Sequence, residues 1–200
     1  PPVEVASHAG VGTVIFNLAV HPSSGAVLAT SIDSRNFVRF LPRLRGHVVE
    51  NRIAAIDFSR EGGPAVEAVD LNPHIRRERP QGDADEIARS VALPLALEFA
   101  PDGRQIYACA FGSRCVGVLD PSLRVVERIA VGGGPCGLAV DPGGRRLYVL
   151  NRFDLTISIV DLERRIEVQV VPLRHDPEPT AVRRGREVLY DARNSAHGDA

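Results

Sequence analysis

The chain has 200 residues, 44% of them hydrophobic, and its 24 basic side chains face 25 acidic ones for a net charge of −1. Such a balance produces no overall field that would favour nucleic acid or an anionic membrane, so we expect no nucleic-acid partner. No run of about 18 apolar residues occurs, and we predict no membrane span. Three cysteines, an odd number, cannot all be paired in a disulfide framework.

The beginning of the chain indicates a piece of a longer protein. The sequence starts at Pro1 and contains no methionine. No charged segment followed by an apolar one opens it, so we predict no signal peptide within it. Residues 1–12 are typical of the end of an outer strand followed by a glycine-rich crossing, and we therefore expect a preceding structural unit that is absent here.

From Gly12 the chain follows a plan of four short strands separated by turns. The apolar runs predict strands at about 14–20, 26–31, 52–57 and 65–70. Two insertions, at about 32–50 and 73–90, interrupt this unit, and the second ends in one or two predicted helical turns. Insertions of this size in repeat proteins map to loops on one face, often the binding face.

Two closer copies of the same plan follow. The pairs Pro101/Pro142, Tyr107/Tyr148 and Asp120/Asp161 are each separated by 41 residues. Proline, glycine and aspartate supply the backbone angles and local hydrogen bonds that tight turns need. The strands are predicted at about 94–99, 104–110, 115–119 and 124–131, and then at about 136–140, 145–150, 156–160 and 165–172.

A period in the forties with four strands per unit is the signature of a β-propeller blade. One blade cannot cover both of its faces, so it must stack on a neighbour at each side. We therefore predict an all-β fold, a partial β-propeller within 1–176, with blades at about 12–72, 90–132 and 133–174. Closed propellers need at least four blades, so we expect an arc of a seven-bladed propeller completed by the remaining blades of the parent chain.

The repeat pattern stops near Asp176. Val182, Val188, Leu189 and Ala192 recur at helical spacing after a helix start at Pro179-Thr180. We predict a short helix within a linker at 177–200, and a partial strand of a fourth blade is the alternative.

The motifs that could carry chemistry point away from catalysis in this chain. Gly132–Gly137 spells G-x-G-x-x-G, but a strand rather than a helix follows, so a dinucleotide site is excluded. The six histidines lack metal-ligand spacing, and no nucleophile elbow occurs. We predict no catalytic, cofactor-binding or metal-binding residue, and we interpret Cys109, Cys115 and Cys136 as small buried apolar side chains.

Two loops are candidates for surface or ligand contacts. The first insertion carries Arg39 and His47, and Arg52 begins the strand that follows it. The loop at 151–154 carries Arg152 and Asp154. Loops that mix cations with aromatic and acidic side chains often hold binding residues. The simpler interpretation is that these side chains stabilise their own turns or are solvated.

The repeat core resembles the YVTN-type β-propeller repeat. Leu147-Tyr-Val-Leu-Asn151, with Gly133-Gly-Pro135 before it and Ile157-Ser-Ile-Val-Asp161 after it, keeps three of the four naming letters, and Leu150 replaces threonine. The earlier copy, Tyr107-Ala-Cys-Ala110, departs further. The resemblance covers about 12–173 and implies a WD40-like propeller fold without implying a function.

The end of the chain resembles a different family. Gly185–Arg193 with Ser195-Ala-His-Gly198 is similar to the segment before the first haem motif of di-haem cytochrome c peroxidase/MauG-like proteins. In that family a Cys-x-x-Cys-His follows, and none occurs up to Ala200. The resemblance implies haem c in the parent beyond Ala200, a cytochrome c-like domain as partner, and a periplasmic or secreted location.

These observations leave three hypotheses. In the first, the chain is a non-catalytic propeller that scaffolds or docks a cytochrome c-type electron-transfer domain, and the parent is a haem-dependent oxidoreductase. In the second, the propeller is itself a ligand binder or an enzyme, with its site where the central channel meets the two insertions. In the third, it is a surface protein-interaction array.

Overall fold

The computed structural model describes residue 7 and residues 9–35, 47–59, 63, 65–176 and 178–200. Within these, twelve strands form three four-stranded antiparallel sheets. The first sheet contains β1 (Val14–Val20), β2 (Val27–Ser34), β3 (Val49–Asp57) and β4 (Ala65–Asp70). The second contains β5 (Pro94–Phe99), β6 (Ile106–Ala110), β7 (Cys115–Leu119) and β8 (Val125–Ala130). The third contains β9 (Pro135–Val140), β10 (Arg146–Asn151), β11 (Thr156–Asp161) and β12 (Ile166–Pro172).

The three sheets fan out from a common edge. The strands of each sheet are paired in chain order, and β5 lies against both β1 and β9. The last strands, β8 and β12, have little contact with each other. Sheets that meet at their first strands and separate at their last are the blades of a β-propeller. The predicted partial propeller is confirmed, and we call the sheets blades 1, 2 and 3; the total of seven blades stays a prediction.

Most of the hydrophobic core lies between the blades, and a smaller cluster of Val11, Ala29 and Ala54 belongs to blade 1 alone. Leu28 and Ile53 of blade 1 pack with Leu97, Phe99 and Leu119 of blade 2. On the other side of blade 2, a second cluster joins it to blade 3, and its members include Tyr107, Val118, Ile129, Leu147, Val149 and Val160. Because blade 2 contributes to both clusters, every residue of β6 and β7 is buried.

The turns repeat as closely as the strands do. Gly103 and Gly144 both have positive φ, +70° and +66°, which glycine adopts without strain. Asp120 accepts a hydrogen bond from the backbone nitrogen of Ser122 at 2.9 Å, and Asp161 accepts one from that of Glu163 at 3.0 Å. The turn chemistry predicted from the repeat is therefore present in both copies.

Blade 1 departs from the prediction at its first insertion. β2 continues to Ser34 and β3 begins at Val49, because these two residues are still paired across the ladder. The predicted insertion at 32–50 is thus partly strand, and its central part, 36–46, lies outside the described residues. The second insertion contains α1 (Ala84–Arg89), and the side chain of Asp83 caps it by accepting from the backbone nitrogen of Glu86.

The chain after blade 3 is helical, as predicted. It forms α2 (Thr180–Tyr190) and a 3-10 turn at Ala192–Asn194, so the alternative of a fourth-blade strand is wrong.

The cysteines are free. Cys109 and Cys115 are buried in different core clusters, on opposite faces of blade 2, whereas Cys136 is only half-buried.

Candidate functional site

Four of the five candidate contact residues lie at the same end of the arc. This turn end is where β2 connects to β3, β6 to β7 and β10 to β11. His47 and Arg52 belong to blade 1, and Arg152 and Asp154 belong to blade 3. Arg39 lies outside the described residues. Across the described chain, no hydrogen bond or ion pair joins the blade 1 pair to the blade 3 pair.

In blade 1 the candidates form part of a charged network. Arg52 forms ion pairs with Glu50 and, at 2.9 Å, with Asp33. His47 Nε2 lies 3.4 Å from Glu50 Oε1, too far for a strong hydrogen bond. Burial, together with the neighbouring Arg77 and Arg35, lowers the pKa of His47 to about 4. His47 is therefore neutral at pH 7. The carboxylate nearest to it, Glu50, already forms ion pairs with Arg35 and Arg52.

In blade 3 the candidates bond to two neighbouring segments, the glycine-rich crossing from blade 2 and the residues just before α2. The Asp154 carboxylate accepts a hydrogen bond from the backbone nitrogen of Gly133 at 2.6 Å, so it fixes the glycine-rich crossing from blade 2 to blade 3. A Cβ at Gly134 would lie 2.8 Å from the Phe153 ring, which explains the glycine there. Arg152 donates to Glu178 at 2.8 Å. Asp154 therefore stabilises the crossing that precedes blade 3, and its role as a ligand contact stays a prediction.

The main occupant of the turn end is the C-terminal segment, residues 178–200. Its backbone is bonded to blade 2 and to the second insertion: Ala192 N donates to Gly112 O at 2.9 Å, and Gly82 N donates to Ala196 O at 2.8 Å. A Cβ at Gly112 would lie 2.9 Å from the Ala192 Cβ. The segment therefore lies directly against the β6–β7 turn, and a glycine there makes this approach possible.

Three aromatic rings pack where the segment crosses blades 2 and 3. Phe111 and Phe153 meet edge-to-face with ring centroids 4.7 Å apart, and Tyr190 of α2 lies 5.7 Å from Phe111 and 6.5 Å from Phe153. Edge-to-face pairs contribute beyond the apolar area they bury, about 0.5–1.5 kcal/mol each. The end of α2 is thus packed against both blades.

A single cation joins the same elements electrostatically. Arg114, in the β6–β7 turn, forms an ion pair with Glu187 of α2 and lies 3.6 Å from Asp191 and 3.7 Å from Asp154. The hydrogen bond from Arg193, its neighbouring charge and Arg114 hold the pKa of Asp191 below its usual value despite burial. Asp191 is therefore ionised at neutral pH and remains available to Arg114.

Beyond the 3-10 turn, His197 enters a buried site beside α1. Its Nδ1 lies 2.8 Å from Glu86 Oε1, so Nδ1 carries the proton and donates to the carboxylate. Its backbone carbonyl accepts from Ser90 Oγ at 2.8 Å. Burial raises the pKa of Glu86, but the hydrogen bonds from His197 and Arg76 outweigh it, and the net pKa lies below the usual value. Glu86 is therefore an anion that is bonded from two sides.

Near the end of the segment, Asp199 is also buried and bonded to a charged partner. It is 1% exposed, and its carboxylate accepts from Arg77 Nη1 at 2.6 Å. Its backbone carbonyl accepts from Asn51 Nδ2 at 2.7 Å, and Asn51 Oδ1 accepts from Leu93 N at 2.8 Å. Asn51 belongs to blade 1 and Leu93 leads into blade 2, so the segment completes a bridge between these blades.

No spacing rule in the sequence could have found this arrangement. Glu86 and His197 are 111 residues apart, and Asn51 and Asp199 are 148 apart. The sequence offers only a weaker signal for this pair. Glu86 lies in an insertion and His197 lies beyond the repeats, so the propeller repeat itself explains neither residue.

Metal binding and membrane spanning are the two remaining properties that the described residues address. In the part of the chain that the structure describes, no group of three His, Cys, Asp or Glu side chains could bind a metal ion. Over the same residues, no helix combines the length and apolar character that crossing a bilayer requires.

Neither a family model nor a curated protein matches the sequence. Solved structures do match. Hydrazine synthase from Kuenenia stuttgartiensis aligns with a TM-score of 0.61 and 17% identity over 76% of this chain and 46% of its own. A putative 6-phosphogluconolactonase from Bacteroides uniformis aligns with a TM-score of 0.55 and 19% identity over 82% of this chain and 43% of its own.

A third structure decides the architecture. The β-propeller domain of Cps50 (Swd1) from Myceliophteria thermophila aligns with a TM-score of 0.50 and 14% identity over 84% of this chain and 46% of its own. The fold is a partial β-propeller. At these identities the likeness shows the fold alone, and the chain spans less than half the length of each of the three structures.

Proposed function

We propose that this chain is a non-catalytic propeller scaffold that positions a cytochrome c-type, peroxidase-like electron-transfer domain following it in a longer protein. The observation that carries the proposal is the anchoring of the C-terminal segment by His197 and Asp199, both about 1% exposed and both bonded to charged partners. A segment fixed in this way gives whatever follows it a defined orientation on the propeller.

The chemistry of the anchor distinguishes it from a flexible linker. Flexible linkers are rich in glycine and serine, remain solvated and let domains move freely. Here buried polar groups are paired across the interface between segment and blades. Removing one partner of such a buried pair leaves the other uncompensated, which is strongly unfavourable, so the segment is held in a single position.

The outer side of α2 is the surface that we assign to the docked domain. No residue of α2 is buried, and Val188 and Leu189 are 76% and 73% exposed, with Val182 also exposed. Exposed apolar patches mark surfaces that another protein covers. The identity of that protein as a cytochrome rests on the resemblance of Gly185–Arg193 to the segment that precedes a haem motif.

The reading frame beyond Ala200 tests the cytochrome part directly. We expect a Cys-x-x-Cys-His motif within about 20 residues, the attachment signature of c-type haem. The longer protein, produced with export to an oxidising compartment, should then show the absorption spectrum of covalently bound haem c. A frame without the motif over that distance removes the cytochrome from the proposal and leaves only the anchored segment.

The anchor itself is tested by substitution in the longer protein. Glu86→Gln and Asp199→Asn should each release the segment and expose the 190–200 region to proteolysis. Glu86→Gln removes the negative charge that accepts from His197 Nδ1, and Asp199→Asn removes the counter-charge of Arg77. The control is Asp85→Asn, which changes the same charge at a side chain that is 77% exposed and paired only with Arg89. Equal protease resistance in all three variants contradicts an anchoring role.

A second candidate is a ligand site in the central groove between β1, β5 and β9. The groove has a volume of about 630 Å³ and is lined by Asn17, Glu98, Cys136 and Asp141 among others. Burial raises the pKa of Glu98, and a carboxyl with a perturbed pKa in a cleft is a candidate functional group.

Alanine at Glu98, and at the candidate contact residues Arg39, His47, Arg52 and Arg152, tests this second candidate. If the groove is a ligand site, these changes abolish binding of the small molecule that copurifies with the longer protein, while circular dichroism shows that each variant remains folded. Binding that survives all five changes contradicts this function.

A further inference from the structure

An outer cleft separates blades 1 and 2, on the side of the arc away from the central groove. It has a volume of about 600 Å³ and lies between β4 and the start of β8. Its polar lining is unbalanced, since Arg89, Arg124, Arg128 and His74 face a single carboxylate, Asp70. Val69 and Val125 are among its apolar walls. We call it the rim cleft.

A β-bulge directs Arg128 into the rim cleft. The pairing of β7 with β8 shifts between Val118 and Leu119, so that β8 carries one extra residue, Val126. Bulges of this kind re-aim the side chains that follow them. As a result Val125 and Arg128, three positions apart, face the same side, towards blade 1. Arg128 is paired with Gly117, which has no side chain to occupy the space beside it.

The guanidinium groups of Arg124 and Arg128 have no ion-pair partner among the described residues. The Arg128 Nε is buried and has no hydrogen-bond partner. No described carboxylate lies within ion-pair distance of the guanidinium of Arg124 or Arg128, and the partner of Arg89 is the highly exposed Asp85. Burial, with Arg89 nearby, lowers the pKa of Arg128. Arg128 is half-buried, and a guanidinium with a desolvated, unpaired nitrogen is the kind of group that a bound anion satisfies.

We propose that the rim cleft binds a small organic anion. A phosphate or carboxylate group lies between Arg124 and Arg128, because the planar guanidinium fork matches both groups with paired hydrogen bonds. The apolar part of the ligand lies on Val69 and Val125. This site goes beyond the scaffold function and does not depend on it, since the cleft lies on the rim and the anchored segment lies at the turn end.

Titration calorimetry on the purified protein at low ionic strength tests the proposal with three probes: phenyl phosphate, benzoate and inorganic phosphate. Phenyl phosphate or benzoate should bind saturably and more tightly than inorganic phosphate, and the better of the two identifies the anion. Arg128→Gln and Arg124→Gln should each weaken this binding at least about tenfold, the usual loss for a charge-assisted hydrogen bond.

The matched control is Arg104→Gln, which makes the same charge change at an exposed side chain outside the cleft and should leave binding unchanged. Thermal melting of each variant shows that it is folded, and Arg124 is itself exposed, so its substitution keeps the test valid if the Arg128 variant unfolds. No saturable binding of any probe overturns the proposal. So does binding that is unaffected by both cleft variants, or reduced equally by Arg104→Gln.

Discussion

Blades 2 and 3 are copies of one unit, yet their strands are buried differently. Tyr107 in β6 is 2% exposed, and Tyr148, its equivalent 41 residues later in β10, is 38% exposed. All five residues of β6 are buried, whereas β10 alternates between exposed and buried along its length. Blade 2 has a neighbour on each side, and blade 3 has one. The burial of a propeller strand is therefore set by the blades beside it.

The two outer faces of the arc, on blade 1 and blade 3, present large apolar side chains, as the covered faces between the blades do. Leu150 on blade 3 is 39% exposed, and Leu18 and Val20 on blade 1 are 60% and 62% exposed. Large exposed apolar faces are rare on proteins that act alone. They favour the expectation that further blades cover both sides of the arc.

The largest expected effect comes from truncating the two equivalent tyrosines. Tyr107→Ala should lower the free energy of unfolding by about 3–5 kcal/mol, the usual cost of removing a buried aromatic ring, and it also removes the 3.1 Å hydrogen bond to Gln105. Tyr148→Ala should cost about 1 kcal/mol or less, because its ring already meets water. Urea unfolding measures both values, and equal losses would break the comparison.

The same two tyrosine variants, made in a longer protein, test whether a further blade covers blade 3. If a further blade covers blade 3 there, the cost of Tyr148→Ala should rise towards that of Tyr107→Ala. An unchanged cost would mean that the exposed face of blade 3 stays free.

A smaller effect is expected at the turn end, where blade 2 is covered by the C-terminal segment. Gly112→Ala places a Cβ 2.9 Å from that of Ala192 and should destabilise the protein by about 1–3 kcal/mol through overpacking. Gly185→Ala, inside α2, meets no atom within 4 Å and should stabilise the helix by about 0.5–1 kcal/mol. The melting temperature should therefore fall for Gly112→Ala and rise for Gly185→Ala. A melting temperature that Gly112→Ala leaves unchanged or raises would mean that the segment is not pressed against Gly112.

The repeat made most of the fold predictable from the sequence. Every predicted strand of blades 2 and 3 lies within two residues of its observed limits, because Pro101, Gly103 and Asp120 and their equivalents mark the turns and the apolar runs mark the strands. The strand limits predicted for blade 1 are less accurate. No second copy of this unit marks where β2 ends and β3 begins beside the first insertion.

The candidate site was not predictable in the same way. The sequence favours His47, Arg52, Arg152 and Asp154 because they mix charges in or beside loops. The structure pairs Arg52, Arg152 and Asp154 within the chain, whereas His47 Nε2 only approaches Glu50 at 3.4 Å. The buried pair of Glu86 and His197 depends on how the segment folds back across the blades. Contacts between residues more than a hundred positions apart follow from tertiary packing, which neither propensity nor spacing encodes.

The smallest expected effect is a pH dependence that arises in blade 1. Burial with Arg77 and Arg35 nearby lowers the pKa of His47 to about 4 in the folded protein, from an ordinary 6.5. As pH falls below 6.5 the unfolded chain takes up a proton there and the folded chain does not, so the free energy of unfolding decreases towards pH 4. Between pH 7 and 5.5 this amounts to about 1 kcal/mol.

His47→Gln should flatten that part of the profile while leaving stability at pH 8 offset by a constant amount. Some slope should remain, because burial also lowers the pKa of His74, which acts with the same sign. Glu86 does not interfere, since its pKa is lowered from 4.5 and its contribution is lost only at more acidic pH. Denaturant titrations at pH 8, 7, 6 and 5.5 measure the slope for both proteins. A slope that His47→Gln leaves unchanged would show that this imidazole is as easily protonated in the blade as in water.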